Sequence, residues 1–204
     1  DVEARLALAI RIAGAAGEFT LKFFGASDLQ VERKSDASPV TVADRGAEQL
    51  LRAEIAAAFP DDTILGEEFP VKEGKSGYRW ILDPIDGTKS FIGGVPLYTT
   101  LIGIEHAGRS VIGVIYAPAL DEMVYACRGG GAFFLARGSA TPVPARVSRR
   151  PCLSDGIFVT SQVDTFDARD AGEAYRRLQA AAYVTRTWGD AYGYMLVATG
   201  RAEV

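Results

Sequence analysis

The chain has 204 residues, enough for one domain or two closely packed lobes and for hiding about 70 per cent of the unfolded surface, so no covalent staple is needed. A formal net charge of −4, with 22 Lys and Arg scattered among 26 Asp and Glu, leaves no basic footprint and argues against nucleic acid or an anionic membrane as partner. Two cysteines without metal-ligand spacing suit reduced thiols in a cytoplasm; a single histidine excludes a His-paired metal site, and its place in a polar turn at His106 argues against a Ser-His-Asp triad, leaving any chemistry to carboxylates, hydroxyls, backbone amides and metal.

The first predicted element is an amphipathic helix over Asp1 to Phe24, with Leu6, Ala9, Ile10, Ala13 and Gly17 on one stripe and Arg5, Arg11 and Glu18 off it. It begins without methionine or a clear cap, so the real start is expected upstream of Asp1, and no secretory signal pattern is present. Leu29 to Lys34 reads as a strand running into Lys34-Ser35-Asp36-Ala37-Ser38-Pro39, a polar run of turn formers expected to be a mobile loop. Thr41 and Asp44 have capping-box spacing and open a helix through Ala47, Leu50, Leu51, Ile55 and Phe59, which Pro60 ends. Asp44 thereby has a complete structural explanation, since an acid in a first turn gains about 0.3 to 1 kcal/mol from the helix dipole. Thr63 to Leu65 forms a short strand that delivers Glu67 and Glu68, and spacing alone does not say which points inward. Phe69 to Gly77 is a polar surface connection.

Tyr78 to Leu82 is a buried strand that stops at Asp83. Pro84 stiffens the chain and Gly87 allows a sharp turn, so Asp83 and Asp86 share one rigid corner. Two close carboxylates repel unless protons or a cation neutralise them, and oxygen donors point to Mg²⁺. Asp-Pro and Asp-Gly are also ordinary turn dipeptides. The amides of Gly87 and Thr88 lie at a predicted helix start, where an anion is favoured. Leu97 to Glu105, Val111 to Tyr116, Met123 to Cys127 and Ala132 to Ala136 have the spacing of an antiparallel sheet. His106 occupies one of its turns as a solvated residue. Gly129-Gly130-Gly131 lacks the tail of a P-loop and reads as another turn. The longest uncharged run, Ser90 to Ile104, is shorter than the roughly 20 residues that span a bilayer. Ala140 to Pro151, with its prolines and arginines, marks a lobe boundary. Beyond it, strand Ile157 to Thr160, helix Ala168 to Ala182 and strand Tyr183 to Thr187 predict a parallel crossover, followed by a helix over Gly189 to Thr199 closed by Gly200. The class is α+β / α/β, with a large antiparallel and a smaller mixed sheet.

Asp83-Pro84-Ile85-Asp86-Gly87-Thr88 matches without a gap the Asp-Pro-Ile/Leu-Asp-Gly-Thr hallmark of the inositol monophosphatase family of Mg²⁺-dependent phosphatases, which the chain therefore resembles. Ile64-Leu65-Gly66-Glu67-Glu68 resembles the family's Gly-Glu-Glu element. The resemblance implies a layered αβαβα sandwich, with the metal and phosphate site in residues 1–140 and the start of a substrate-side lobe in residues 150–204. It implies two or three Mg²⁺ ions, with Asp83 bridging, Glu67 and the Ile85 carbonyl on the first ion and Asp86 on the second. Thr88 is expected to donate to Asp44, the pair orienting the attacking water, while Glu67, Ile85, Asp86, Gly87 and Thr88 surround the phosphate. Lys34, on the loop that closes over the site in the family, comes near that phosphate or is simply a solvated lysine.

Trp188-Gly189-Asp190-Ala191-Tyr192-Gly193-Tyr194, Val197 to Ala202 and Asp86 to Ile92 resemble the histidinol-phosphate phosphatase branch. Asp190 then pairs with the ammonium or imidazole of that substrate, unless it only caps its helix. Inositol monophosphate is the runner-up substrate and phosphoadenosine phosphate a third. A catalytically silent binding or regulatory member is the alternative of another class. The family continues to a Trp-Asp pair that completes the second metal position. No such pair occurs here, so the C-terminal part of the sandwich is expected to be missing. A homodimer is implied by the resemblance alone.

Overall fold

The computed structural model describes residues 1–26, 29–33 and 39–204, which fall into two units, Asp1–Pro144 and Ala145–Val204. In the first, helix α1 (Val2–Leu21) is capped by Asp1, whose carboxylate accepts from the Glu3 amide at 3.0 Å. A hairpin of β1 (Val31–Arg33) and β2 (Pro39–Thr41) leads into α2 (Val42–Ala58). Then come β3 (Thr63–Leu65), β4 (Tyr78–Asp86), the short α3 (Thr88–Ile92), β5 (Thr99–His106), β6 (Arg109–Ala117), β7 (Glu122–Cys127), β8 (Gly131–Leu135) and β9 (Val143–Pro144). These strands form a seven-stranded sheet in chain order, antiparallel except for the β3–β4 edge pair. The large sheet is thus mixed rather than purely antiparallel.

Alternation along the strands turns one face of this sheet toward α1 and α2. Trp80 lies opposite Ile104, which lies opposite Ile112, and Leu82, Ile102 and Val114 form the parallel row two residues on. Leu8, Ile12 and Ala16 of α1 and Ala47, Leu51 and Ile55 of α2 close over these rows in one continuous core. A satellite cluster of Ala43, Ile85, Phe91 and Tyr98 sits beneath the Asp83–Thr88 corner.

The buried face of α1 is rotated from the predicted stripe. Leu6 and Ile10 are half-buried, whereas Arg5 and Thr20 are buried. Apolar residues occur on nearly every side of this helix, so a partner decides which side is covered. For Arg5 the partner is Asp62, which accepts from Nε at 2.8 Å and Nη2 at 2.7 Å, and also from the Trp80 indole at 2.8 Å and the Ser76 hydroxyl at 2.6 Å. The guanidinium lies 4.2 Å from the Phe59 ring centroid and 3.7 Å from that of Tyr78. A buried charge is tolerable in such a fully bonded setting and costly outside it.

The second unit contains β10 (Ile157–Val159), α4 (Asp164–Ala168), α5 (Gly172–Ala181), β11 (Val184–Arg186) and α6 (Ala191–Ala198). β10 and β11 pair in parallel through the two helices, giving the expected crossover but a two-stranded parallel sheet in place of a mixed one. Among the described residues no helix is long and apolar enough to cross a membrane.

Candidate active site

β4 does not stop at Asp83. It continues to Asp86, and its register against β5 shifts between these residues, with Asp83 facing Leu101 and Asp86 facing Thr99. Two residues of β4 therefore oppose one of β5, the signature of a bulge, and Pro84, which has no N–H to give, stands inside it. β5 anchors the bulge with hydroxyls: Thr100 donates to the Pro84 carbonyl at 2.9 Å and Thr99 to the Asp86 carboxylate at 3.0 Å. Gly87, at φ 80° and ψ 41°, makes the left-handed step that turns the strand into α3.

This bend holds Asp83 in an adverse environment. The neighbouring Ile85 amide favours its charged form, yet Oδ1 is buried with no hydrogen-bond partner. Burial, then the nearby charges of Asp86, Glu67 and Asp44, push its carboxyl up to about 8. Asp44 is likewise raised by burial, and by Glu67, against the lowering effect of its bonds from Thr41. Four acids from α2, the β3 end and the β4 bulge thus share one field. Among the described residues no three of them stand around a common point as ligands of one ion would. Like charges with nothing between them repel, so proximity without convergence is the expected arrangement.

Glu67 is exposed, and its charge reaches Asp83 and Asp44, whereas that of Glu68 reaches Arg45. The pair that spacing left unresolved therefore differs in electrostatic surroundings. The implied Thr88–Asp44 bond is not formed. Thr88 gives its only hydroxyl proton to the Ile85 carbonyl at 3.1 Å, three residues back. Asp44 Oδ2 accepts from the Thr41 amide at 2.7 Å and hydroxyl at 2.6 Å, closing the capping box. The Ile85 carbonyl keeps a second lone pair, while its side chain is buried in the satellite cluster. Lys34 and the 34–38 loop lie outside the described residues. Asp190, in the second unit, is exposed at the N-cap of α6, yet its carboxylate makes no capping bond, so capping does not account for it.

Oxygen donors alone, an orphaned buried carboxylate oxygen and mutually repelling acids fit a hard divalent cation, for which Glu67, Asp83, Asp86 and the Ile85 carbonyl are the candidate ligands. Sequence reading missed the Thr99 and Thr100 hydroxyls that brace the bulge, and the ion pair of Glu48 with Arg52 on α2. The last two follow Asp44 at successive steps of four, a polar ridge beside the apolar Ala47, Leu51 and Ile55, and that pattern was available to find them.

The sequence pattern described as "Inositol monophosphatase family" matches residues 1–204. A histidinol-phosphatase of Chlorobaculum parvum is 47% identical over 199 residues, covering 98% of this chain and 74% of that protein. An inositol-1-monophosphatase of Rhizobium meliloti is 40% identical over 147 residues, covering 71% of this chain and 53% of that protein. Among solved structures, the extragenic suppressor protein suhB from Bartonella henselae superposes with a TM-score of 0.83 at 32% identity, covering 98% of this chain and 76% of its own.

Proposed function

The chain belongs to the inositol monophosphatase family, and on that premise we propose that it is a Mg²⁺-dependent phosphomonoesterase that hydrolyses histidinol phosphate to histidinol and phosphate. The observation that carries the proposal is Asp83, a buried carboxylate with an unpartnered oxygen, crowded by Asp86, Glu67 and Asp44. The C. parvum histidinol-phosphatase, similar over nearly the whole chain, supports the choice of substrate.

Hydrolysis of an unactivated phosphate monoester needs acceleration of up to about 10²¹-fold, which positioning and charge neutralisation must supply. Magnesium, when bound, supplies charge neutralisation at the phosphoryl oxygens and a water of lowered pKa. The residues of this chain do the rest. Glu67, Asp83 and Asp86 would hold the cation through carboxylate oxygens, and Thr99 and Thr100 brace the β4 bulge that carries two of them. The amides of Gly87 and Thr88, opening α3, offer N–H donors to the phosphate. Asp44 and Thr88 orient the water, which requires the Thr88 hydroxyl to leave the Ile85 carbonyl when substrate binds. Asp190 recognises the ammonium or imidazole that distinguishes histidinol phosphate from a polyol phosphate. The proposal extends to a cytoplasmic location and independence of nucleic acid, which composition supports, and to a homodimer, which the family resemblance alone supports.

The runner-up is an inositol-1-monophosphatase, favoured by the R. meliloti relative. Phosphate release from histidinol phosphate, inositol 1-phosphate and phosphoadenosine phosphate, with Mg²⁺ and with chelator, decides between them. Histidinol phosphate is expected to be turned over with the highest kcat/KM and only with the metal. Preference for inositol phosphate would install the runner-up, and inactivity on all three would leave a silent binding member.

A further inference from the structure

Glu48 is the one acid of the first unit whose side chain is entirely hidden from solvent at the described residues for which an ion pair is recorded, and both of its oxygens are engaged. Oε1 accepts from Arg52 Nε at 2.7 Å, and Oε2 accepts from the Glu68 backbone amide at 2.7 Å. Arg52, one turn along α2, reaches with Nη2 to the Phe69 carbonyl at 3.0 Å. The two side chains therefore grip consecutive residues of the loop that follows β3. On the other side of that loop, Leu65 is fixed by its pairing with Ile81. Between these anchors remain only Gly66 and Glu67. Gly66 is what allows the fit, because a Cβ there would stand 2.0 Å from Glu48 Oε1 and 2.3 Å from Cδ.

We infer that Glu48 and Arg52 are positioning residues that fix the backbone of Glu67 and thereby set the affinity of the chain for a divalent cation. The inference rests on reading Glu67 as a holder of that cation. Its physical ground is the expense of the arrangement: burying a carboxylate costs several kcal/mol that an ion pair recovers only in part, and an apolar side chain of similar size typically packs as well or better. A charge kept in such a place is explained by what it holds. Here that is two backbone groups next to Glu67, on the same helix that carries Asp44 into the shared field.

The test is calorimetric titration of MgCl₂ into the chelator-treated full chain, in parallel with Glu48→Gln, Arg52→Lys and Gly66→Ala. Gln keeps the size of Glu48 but cannot satisfy a guanidinium and an amide together. Lys keeps the charge of Arg52 but not its two-armed reach. Ala at 66 leaves both charged residues in place but drives a methyl into the Glu48 carboxylate, so that the loop and the clamp must part. Each is expected to raise the Mg²⁺ dissociation constant by about 10- to 100-fold, the usual effect of losing a group that orients a metal ligand, with Arg52→Lys the mildest. Phosphate release should show the same shift in the Mg²⁺ concentration for half-maximal rate, with kcat at saturating metal retained to within about threefold, a split that general loosening of the fold does not produce. If Glu48→Gln does not fold, Arg52→Lys and Gly66→Ala carry the test. Dissociation constants within about twofold of wild type in two folded variants overturn the clamp and leave the Glu67 reading intact. Absence of Mg²⁺ uptake by the wild type overturns that reading, and the clamp with it.

Discussion

Replacing Asp83 by Asn removes the most unfavourable charge in the first unit and should separate stability from activity. The folded protein holds this carboxyl at about 8 against an ordinary 3.8. A group whose folded pKa is raised favours the folded state least when ionised. Its penalty is absent below the unfolded value, grows as pH climbs from about 4 and is complete by about pH 8. Four units at about 1.4 kcal/mol each set a ceiling near 6 kcal/mol. The Asn carbonyl inherits the unpartnered position of Oδ1, which returns about 1 to 3 kcal/mol of that gain. A net stabilisation of at most about 3 to 5 kcal/mol at pH 8, falling with pH to a net loss of about 1 to 3 kcal/mol near pH 4, is therefore expected for the metal-free variant, together with loss of phosphate release. Urea unfolding in EDTA at pH 4, 6 and 8 measures it. A variant less stable than wild type at pH 8, or a difference that does not change with pH, would refute the electrostatic account of the site.

Two other predictions concern residues away from this crowding. Burial would raise Asp62, but bonds from Arg5, Ser76 and Trp80 overcome it and hold the carboxyl below its ordinary range. Its contribution is therefore present above the ordinary carboxyl range and lost as pH falls through the depressed value. Asp62→Ala leaves the Arg5 charge buried and should cost about 3 to 5 kcal/mol in urea unfolding at pH 7, the difference shrinking below about pH 4. A loss under about 1 kcal/mol would show that solvent reaches Arg5. Asp190→Asn should lower kcat/KM for histidinol phosphate about 10- to 100-fold, the worth of a charge-assisted bond, while leaving inositol 1-phosphate nearly unchanged. Equal losses on both substrates would remove the ammonium from the argument.

Much of this architecture was legible in the residues because local signals and long-range packing agreed. The capping box at Thr41 and Asp44, the short strand before Gly66 and the four hairpin-spaced strands after Leu97 fold as their patterns predict. Where tertiary partners decide, pattern reading failed. Arg5 looked like a solvent residue because nothing near it in sequence names Asp62 as its counter-ion. Pro84 looked like a strand terminator because a bulge that tolerates it depends on Thr99 and Thr100 of the next strand. Glu48 and Arg52 drew no notice as residues of α2, and only the loop lying on them hides Glu48 completely and Arg52 in part. The acids of the site were found through a motif. Their shared field became visible only once three separate elements were brought together.

Magnesium uptake by the chelator-treated chain, followed by calorimetry near pH 7 in buffers of different ionisation heat, bears most directly on whether Glu67, Asp83 and Asp86 gather a cation. The wild type is expected to bind Mg²⁺ and to release a proton as it does so, because a carboxyl held at about 8 must ionise to become a ligand, and Asp83→Asn is expected to lose both the uptake and the proton. Uptake without proton release that persists in Asp83→Asn, or no uptake by the wild type, would contradict it.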